Sequence, residues 1–102
     1  MKMVLSGEMI DAATALQAGL VAELTEPELT LETALALAAT IATKPPLAVR
    51  LAKEALLQAF ESSLSAGLEF ERKAFVMLAA TDDRREGMAA FSERRKPEFQ
   101  GR

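Results

Sequence analysis

Apolar residues recur at helical spacing along most of this chain. Leu31, Ala34, Leu35, Ala38, Ile41 and Ala42 lie three or four positions apart, so they share one face of a predicted helix. Pro45–Pro46 interrupts that pattern. Proline disfavours helix in the residue before it yet fits the first turn of a new one, so a sharp corner is expected there. A second stripe follows: Ala48, Leu51, Ala52, Ala55, Leu56, Ala59 and Phe60, with Arg50, Lys53, Glu54 and Gln58 on the opposite side. Ser62 or Ser63 caps a third helix carrying Leu64, Leu68, Phe75 and Leu78. Thr81 starts a fourth, because Asp82 and Asp83 in its first turn complement the helix dipole; that helix ends before Pro97.

The amino-terminal stretch is more broken. Asp11 suits the N-cap of a short helix through "AATALQA", and Gly19 suits its C′ position. Leu20–Leu24 ("LVAEL") alternates and predicts a short strand. "TEPELT" then turns into the first long helix, which starts either at Thr25, with Glu28 in capping-box spacing, or with Thr30 as cap. The fold class is therefore mainly α, four to five helices with one short N-terminal strand. A single strand cannot pair with itself, so a partner is expected in another chain or in a missing part of this one.

Composition supports the helical reading. The 102 residues allow one domain with a modest core, and half of them are apolar, mostly Ala and Leu, the best helix formers. Five phenylalanines are the only aromatic residues. Without cysteine there is no disulfide framework or thiolate chemistry, and without histidine the commonest metal ligand and general base is missing. No metal site is expected. The stretch before Gly7 and Glu8 is too short for a secretory signal, and no apolar run approaches a membrane span, so the expected setting is cytoplasmic, with no membrane partner.

Charge is unevenly spread. From Arg84 onward six basic residues (Arg84, Arg85, Arg94, Arg95, Lys96, Arg102) face three acidic ones (Glu86, Glu93, Glu98), whereas the whole chain carries −3. An acidic body speaks against a nucleic-acid partner, which needs a broad basic face, but leaves room for a local anion site. Glu54, Glu61, Glu69 and Glu71 read as a solvated face, Asp82–Asp83 as helix-terminal charge and Ser62–Ser63 as caps, so no catalytic residue is assigned. The ending "FSERRKPEFQGR" differs. Phe91 and Arg94 are three apart, and an aromatic ring beside a guanidinium can stack on a flat base while binding its phosphate; Lys96 and Arg95 add positive potential. The plainer alternative buries Phe91 and leaves the basic residues to complement the helix carboxyl end.

Three ordered segments carry a resemblance. "MVLSGEMIDAATALQAGLVAEL", with Leu5, Gly7, Ile10, Ala12, Ala15, Gly19, Leu20 and Val21 in the pattern positions, resembles the enoyl-CoA hydratase/isomerase (crotonase) family. "ATKPPLAVRLAKEAL" and "TDDRREGMAAFSERRKPEFQGR" are similar to that family's closing region. The resemblance implies a carboxy-terminal portion of the crotonase fold: residues 1–25 end its core, and residues 26–102 form a helical oligomerisation and CoA-clamping domain. It implies a homo-oligomer, trimer or hexamer, and a coenzyme A thioester as substrate with no covalently bound cofactor. Family members begin with a β-rich core that supplies an oxyanion hole and catalytic glutamates; no position here matches those motifs. Phe-Ser-Glu-Arg matches the family's Phe-x-Glu-Lys/Arg motif, which carries the CoA-binding role to Phe91 and Arg94, with Lys96 a weaker candidate.

Two functions follow as expectations. In the first, the chain belongs to an enzyme that hydrates enoyl-CoA thioesters or shifts their double bond, and supplies oligomer contacts and part of the CoA site while being inactive alone. In the second, it is a non-enzymatic helical self-association module or a decayed paralogue.

Overall fold

All of residues 1–102 are described by the computed structural model, and they fall into two units, Met1–Ala36 and Leu37–Arg102. In the first unit α1 (Lys2–Ser6) is a single turn closed by Gly7. The α2 helix (Ala12–Gln17) begins as its sequence predicts: the Asp11 carboxylate accepts the Thr14 N–H at 2.7 Å. Its far end needs Gly19. That residue adopts φ 71°, and the Leu20 and Gly19 N–H groups donate to Ala15 and Leu16 carbonyls at 2.9 and 3.0 Å. This paired closure requires a left-handed residue, which glycine adopts without a Cβ clash.

Leu20–Leu24 forms no strand, and neither does any other segment of the chain. The alternation is present, but a strand exists only through ladder hydrogen bonds, and no second extended segment here can supply them. The segment leads instead into a 3₁₀ turn at Pro27–Leu29 with proline in its first position. The α3 helix (Thr30–Ala42) starts at Thr30, whose hydroxyl shares a 2.9 Å hydrogen bond with that of Thr25.

The second unit holds the buried residues. The Pro45–Pro46 corner opens α4 (Pro46–Glu61), with Pro46 in the first helical position where its missing N–H costs no hydrogen bond. Ser62 and Ser63 divide the next connection. The Ser62 hydroxyl donates to the Gln58 carbonyl at 2.8 Å and closes α4, whereas Ser63 accepts the Ala66 N–H at 3.3 Å and caps α5 (Leu64–Ala79). So short a link makes α4 and α5 an antiparallel hairpin. Leu51 and Ala74 are buried, one from each helix. Thr81 caps α6 (Asp82–Glu93) by accepting the Arg84 N–H at 3.2 Å, and Ala90 of that helix is 1% exposed. The chain thus has six α-helices, the extra one being the turn at Lys2–Ser6.

Little else is covered. Phe60 is 88% exposed, Leu64 79% and Phe75 73%, so the apolar stripes read from the sequence exceed what these helices bury among themselves. No single helix is long and apolar enough to cross a bilayer.

Candidate functional site

The candidate residues lie where α6 gives way to the carboxyl-terminal tail, and two carboxylates of α6 shape that region. Asp83, 4% exposed, accepts the Gln100 N–H at 2.6 Å and the Gly101 N–H at 2.9 Å, while its own N–H donates to the Arg102 carbonyl at 3.0 Å. One turn further, Glu86 accepts Arg95 Nη1 and Nη2 at 2.5 and 2.9 Å and the Glu98 N–H at 2.8 Å. Residues three apart on a helix share a face, so both carboxylates draw the tail back along α6. Phe99 comes to rest on Gly87, where an added Cβ would meet its Cε1 at 3.5 Å. The Arg95 guanidinium, with help from the Glu98 N–H, holds the Glu86 carboxyl down at about 2. Arg95 also donates to Glu93 at 2.6 Å, and between two carboxylates it is held still more firmly protonated. Both its carboxylate partners belong to this helix and tail.

Arg94 is free by contrast. It has no ion pair and no side-chain hydrogen bond, and it closes α6 with φ 55° and ψ 37°, the left-handed conformation that glycine usually takes at a helix end. The Arg94 N–H donates to the Phe91 carbonyl at 3.3 Å, and the Arg95 N–H to the Ala90 carbonyl at 3.0 Å. The spacing of three placed Phe91 and Arg94 on one helix; α6 stops at Glu93, so Arg94 stands one residue beyond it and is tied back through the backbone. Phe91 is 87% exposed in this chain. An exposed ring, an unpaired guanidinium and a strained backbone coincide within four residues. Strain of this kind gathers at ligand-holding positions.

Lys96 has different company. It lines a cleft of about 600 Å³ with Pro97 and Phe99 on one side and Ala42, Thr43, Lys44, Pro45 and Pro46 on the other. Neither Phe91 nor Arg94 contributes to that cleft. Sequence reasoning missed Lys44, although a lysine flanking a Pro-Pro corner was visible. It missed the Asp83 and Glu86 anchors too, because a carboxylate in the first turns of a helix is ordinarily explained by the dipole alone.

The remaining acidic candidates behave as a solvated surface. Glu54, Glu61 and Glu71 are exposed. Glu69 pairs with Arg72 at 2.7 Å and Lys73 at 3.3 Å, and the Arg72 hydrogen bond lowers its pKa.

A sequence model of the family described as Enoyl-CoA hydratase/isomerase matches residues 1–102. The 2,3-dehydroadipyl-CoA hydratase of Escherichia coli (strain K12) is 54% identical over 101 residues, covering 99% of this chain and 40% of that protein. The (E)-benzylidenesuccinyl-CoA hydratase of Thauera aromatica is 41% identical over 101 residues, again 99% of this chain and 40% of the relative. Among solved structures, subunit I of an enoyl-CoA hydratase from Geobacillus kaustophilus superposes with a TM-score of 0.86 at 47% identity, over 95% of this chain and 38% of that one. The chain spans about two-fifths of the length of the relatives it matches.

Proposed function

This chain belongs to the enoyl-CoA hydratase/isomerase family, and from that premise we propose that it supplies oligomer contacts and part of a coenzyme A site to an enzyme acting on enoyl-CoA thioesters. The parent reaction is hydration of the double bond or its migration, passing through an enolate held in an oxyanion hole. Relatives named as CoA-thioester hydratases favour the substrate class. The substrate is the only coenzyme in this reading, and no covalently bound cofactor takes part.

Within it, residues 1–25 end the core and residues 26–102 form the helical, oligomer-building and CoA-clamping domain. The Phe91 ring stacks on the adenine, the Arg94 guanidinium binds phosphate through paired hydrogen bonds, and Lys96 strengthens the local positive potential. One observation carries the clamp: Phe91 lies open beside an unpaired Arg94 held in the left-handed region. The exposed apolar stripes of α4 and α5 supply the oligomer contacts.

Coenzyme A titration of the wild type, Phe91→Ala and Arg94→Gln tests the clamp. Both variants keep the helical circular-dichroism signal and bind about tenfold more weakly, the loss of one stacking or charge-assisted contact. Unchanged affinity in both sinks the clamp. With crotonyl-CoA the 102-residue chain gives no turnover above background; measurable hydration would move the chemistry into this chain.

The second reading, a non-enzymatic helical association module, draws on the same exposed apolar surface. Light scattering on eluting protein decides its premise: a monomer at working concentration removes it. An associating chain that ignores coenzyme A favours it over the first.

A further inference from the structure

We propose that the cleft between the Pro45–Pro46 corner and the tail is a second anion-binding site, in which Lys44 and Lys96 hold the phosphate of a small organic phosphate whose apolar body rests on Phe99 and the prolines. The lining residues are Ala42, Thr43, Lys44, Pro45, Pro46, Lys96, Pro97 and Phe99, which amounts to two ammonium groups and no carboxylate. Neither lysine is engaged in an ion pair, although Lys2, Lys73, Arg72, Arg85, Arg95 and Arg102 all are. Glu98, the nearest acid in sequence, adds nothing to the lining. The amino end of α4 opens here as well, with Pro45 offering no side-chain cap.

The walls are fixed before any ligand arrives. On one side the Lys44 N–H donates to the Ile41 carbonyl at 3.0 Å, and the Thr43 hydroxyl donates to the Thr40 carbonyl at 2.7 Å, setting the corner. On the other, the Asp83 and Glu86 anchors hold the tail. The walls also meet: a Cβ added at Gly101 would lie 3.7 Å from Pro46. A volume of about 600 Å³ accommodates a group the size of an aryl phosphate. The phosphate is recognised by charge, whether it arrives free or as an ester; the aromatic and proline surface selects the ester.

The site does not depend on the coenzyme A reading. Lys96 is the only shared residue, and Phe91 and Arg94 line no part of the cleft. The probes are inorganic phosphate, phenyl phosphate and phenol, titrated into the full chain and followed by amide chemical shifts. Phenyl phosphate is expected to shift Thr43, Lys44 and Phe99, inorganic phosphate to shift Thr43 and Lys44 more weakly, and phenol to shift none of them. Lys44→Gln and Lys96→Gln, both at exposed positions, each weaken phenyl phosphate about fivefold, and Phe91→Ala leaves it unchanged. Binding of the wild type falls as sodium chloride rises. The proposal is overturned by no shifts at these residues, by phenol binding as well as phenyl phosphate, or by wild-type binding insensitive to salt. Loss on Phe91→Ala with no effect of Lys44→Gln would assign the phosphate to the α6 end instead, and would likewise end the proposal.

Discussion

Asp83 holds Gly101: its Oδ2 accepts the Gly101 N–H at 2.9 Å, while Oδ1 takes the Gln100 N–H at 2.6 Å. A nearly buried carboxylate thereby serves as the anchor of the last residues, and the N–H groups it satisfies are backbone groups that had no secondary structure to enter. Asp83→Ala removes both acceptors. We expect a loss of about 2 kcal/mol in urea unfolding, the worth of hydrogen bonds to a charged group, with fast amide exchange at Gln100 and Gly101. Protection of those amides in the variant would show that packing alone seats the tail.

Glu86 gives the tail an acid limit. Its folded pKa, about 2, lies below the ordinary carboxylate value of 4.5. The sign follows from linkage: the unfolded chain binds the proton more readily, so the stabilisation is complete above pH 4.5 and is lost as pH falls through about 2. Across that window the wild type is expected to lose protection at the Glu98 amide. Glu86→Gln should start with weaker protection and show less of that change; a variant with the same acid profile would place the titration elsewhere.

Gly87 sits inside α6 where a side chain is affordable. An alanine Cβ would reach Phe99 Cε1 at 3.5 Å, ordinary van der Waals contact. Gly87→Ala therefore gains about 1 kcal/mol from helix propensity, read as a higher unfolding midpoint. A lower midpoint would mean that Phe99 has no room to adjust.

Arg94 separates stability from binding. A non-glycine residue at φ 55° costs up to about 1 kcal/mol, so Arg94→Gly should raise the unfolding midpoint slightly. The same change should weaken coenzyme A about tenfold. If the variant loses stability instead, the arginine side chain packs in a way its exposure does not suggest.

Much of the local structure was legible. Asp11, Thr81 and one of the pair Ser62–Ser63 announced three helix starts, Gly19 announced one helix end, and Pro45–Pro46 marked the corner. Each of these acts over at most four residues, so neighbours in sequence are sufficient to set it. Leu20–Leu24 was misread for the same reason in reverse. Alternation describes one strand, while a ladder requires two. The last helix ends before Pro97, as read, but at Glu93, one residue short of Arg94; nothing in "SERRKP" supplies the glycine that normally signals the stop.

Phe91, Arg94 and Lys96 were picked out from residue type and motif, and Phe91 is 87% exposed in this chain. Their separate surroundings could not be read that way. Three basic residues, Arg94, Arg95 and Lys96, lie between Phe91 and Pro97, yet Arg95 is locked to Glu86, nine positions back, Lys96 lines a cleft with Lys44, and Arg94 is left unpaired. Helical periodicity is written in the order of the residues because backbone hydrogen bonds are local. Which cation is neutralised and which stays free depends on where a folded-back tail meets a distant carboxylate, and that encounter exists only once the chain has closed on itself.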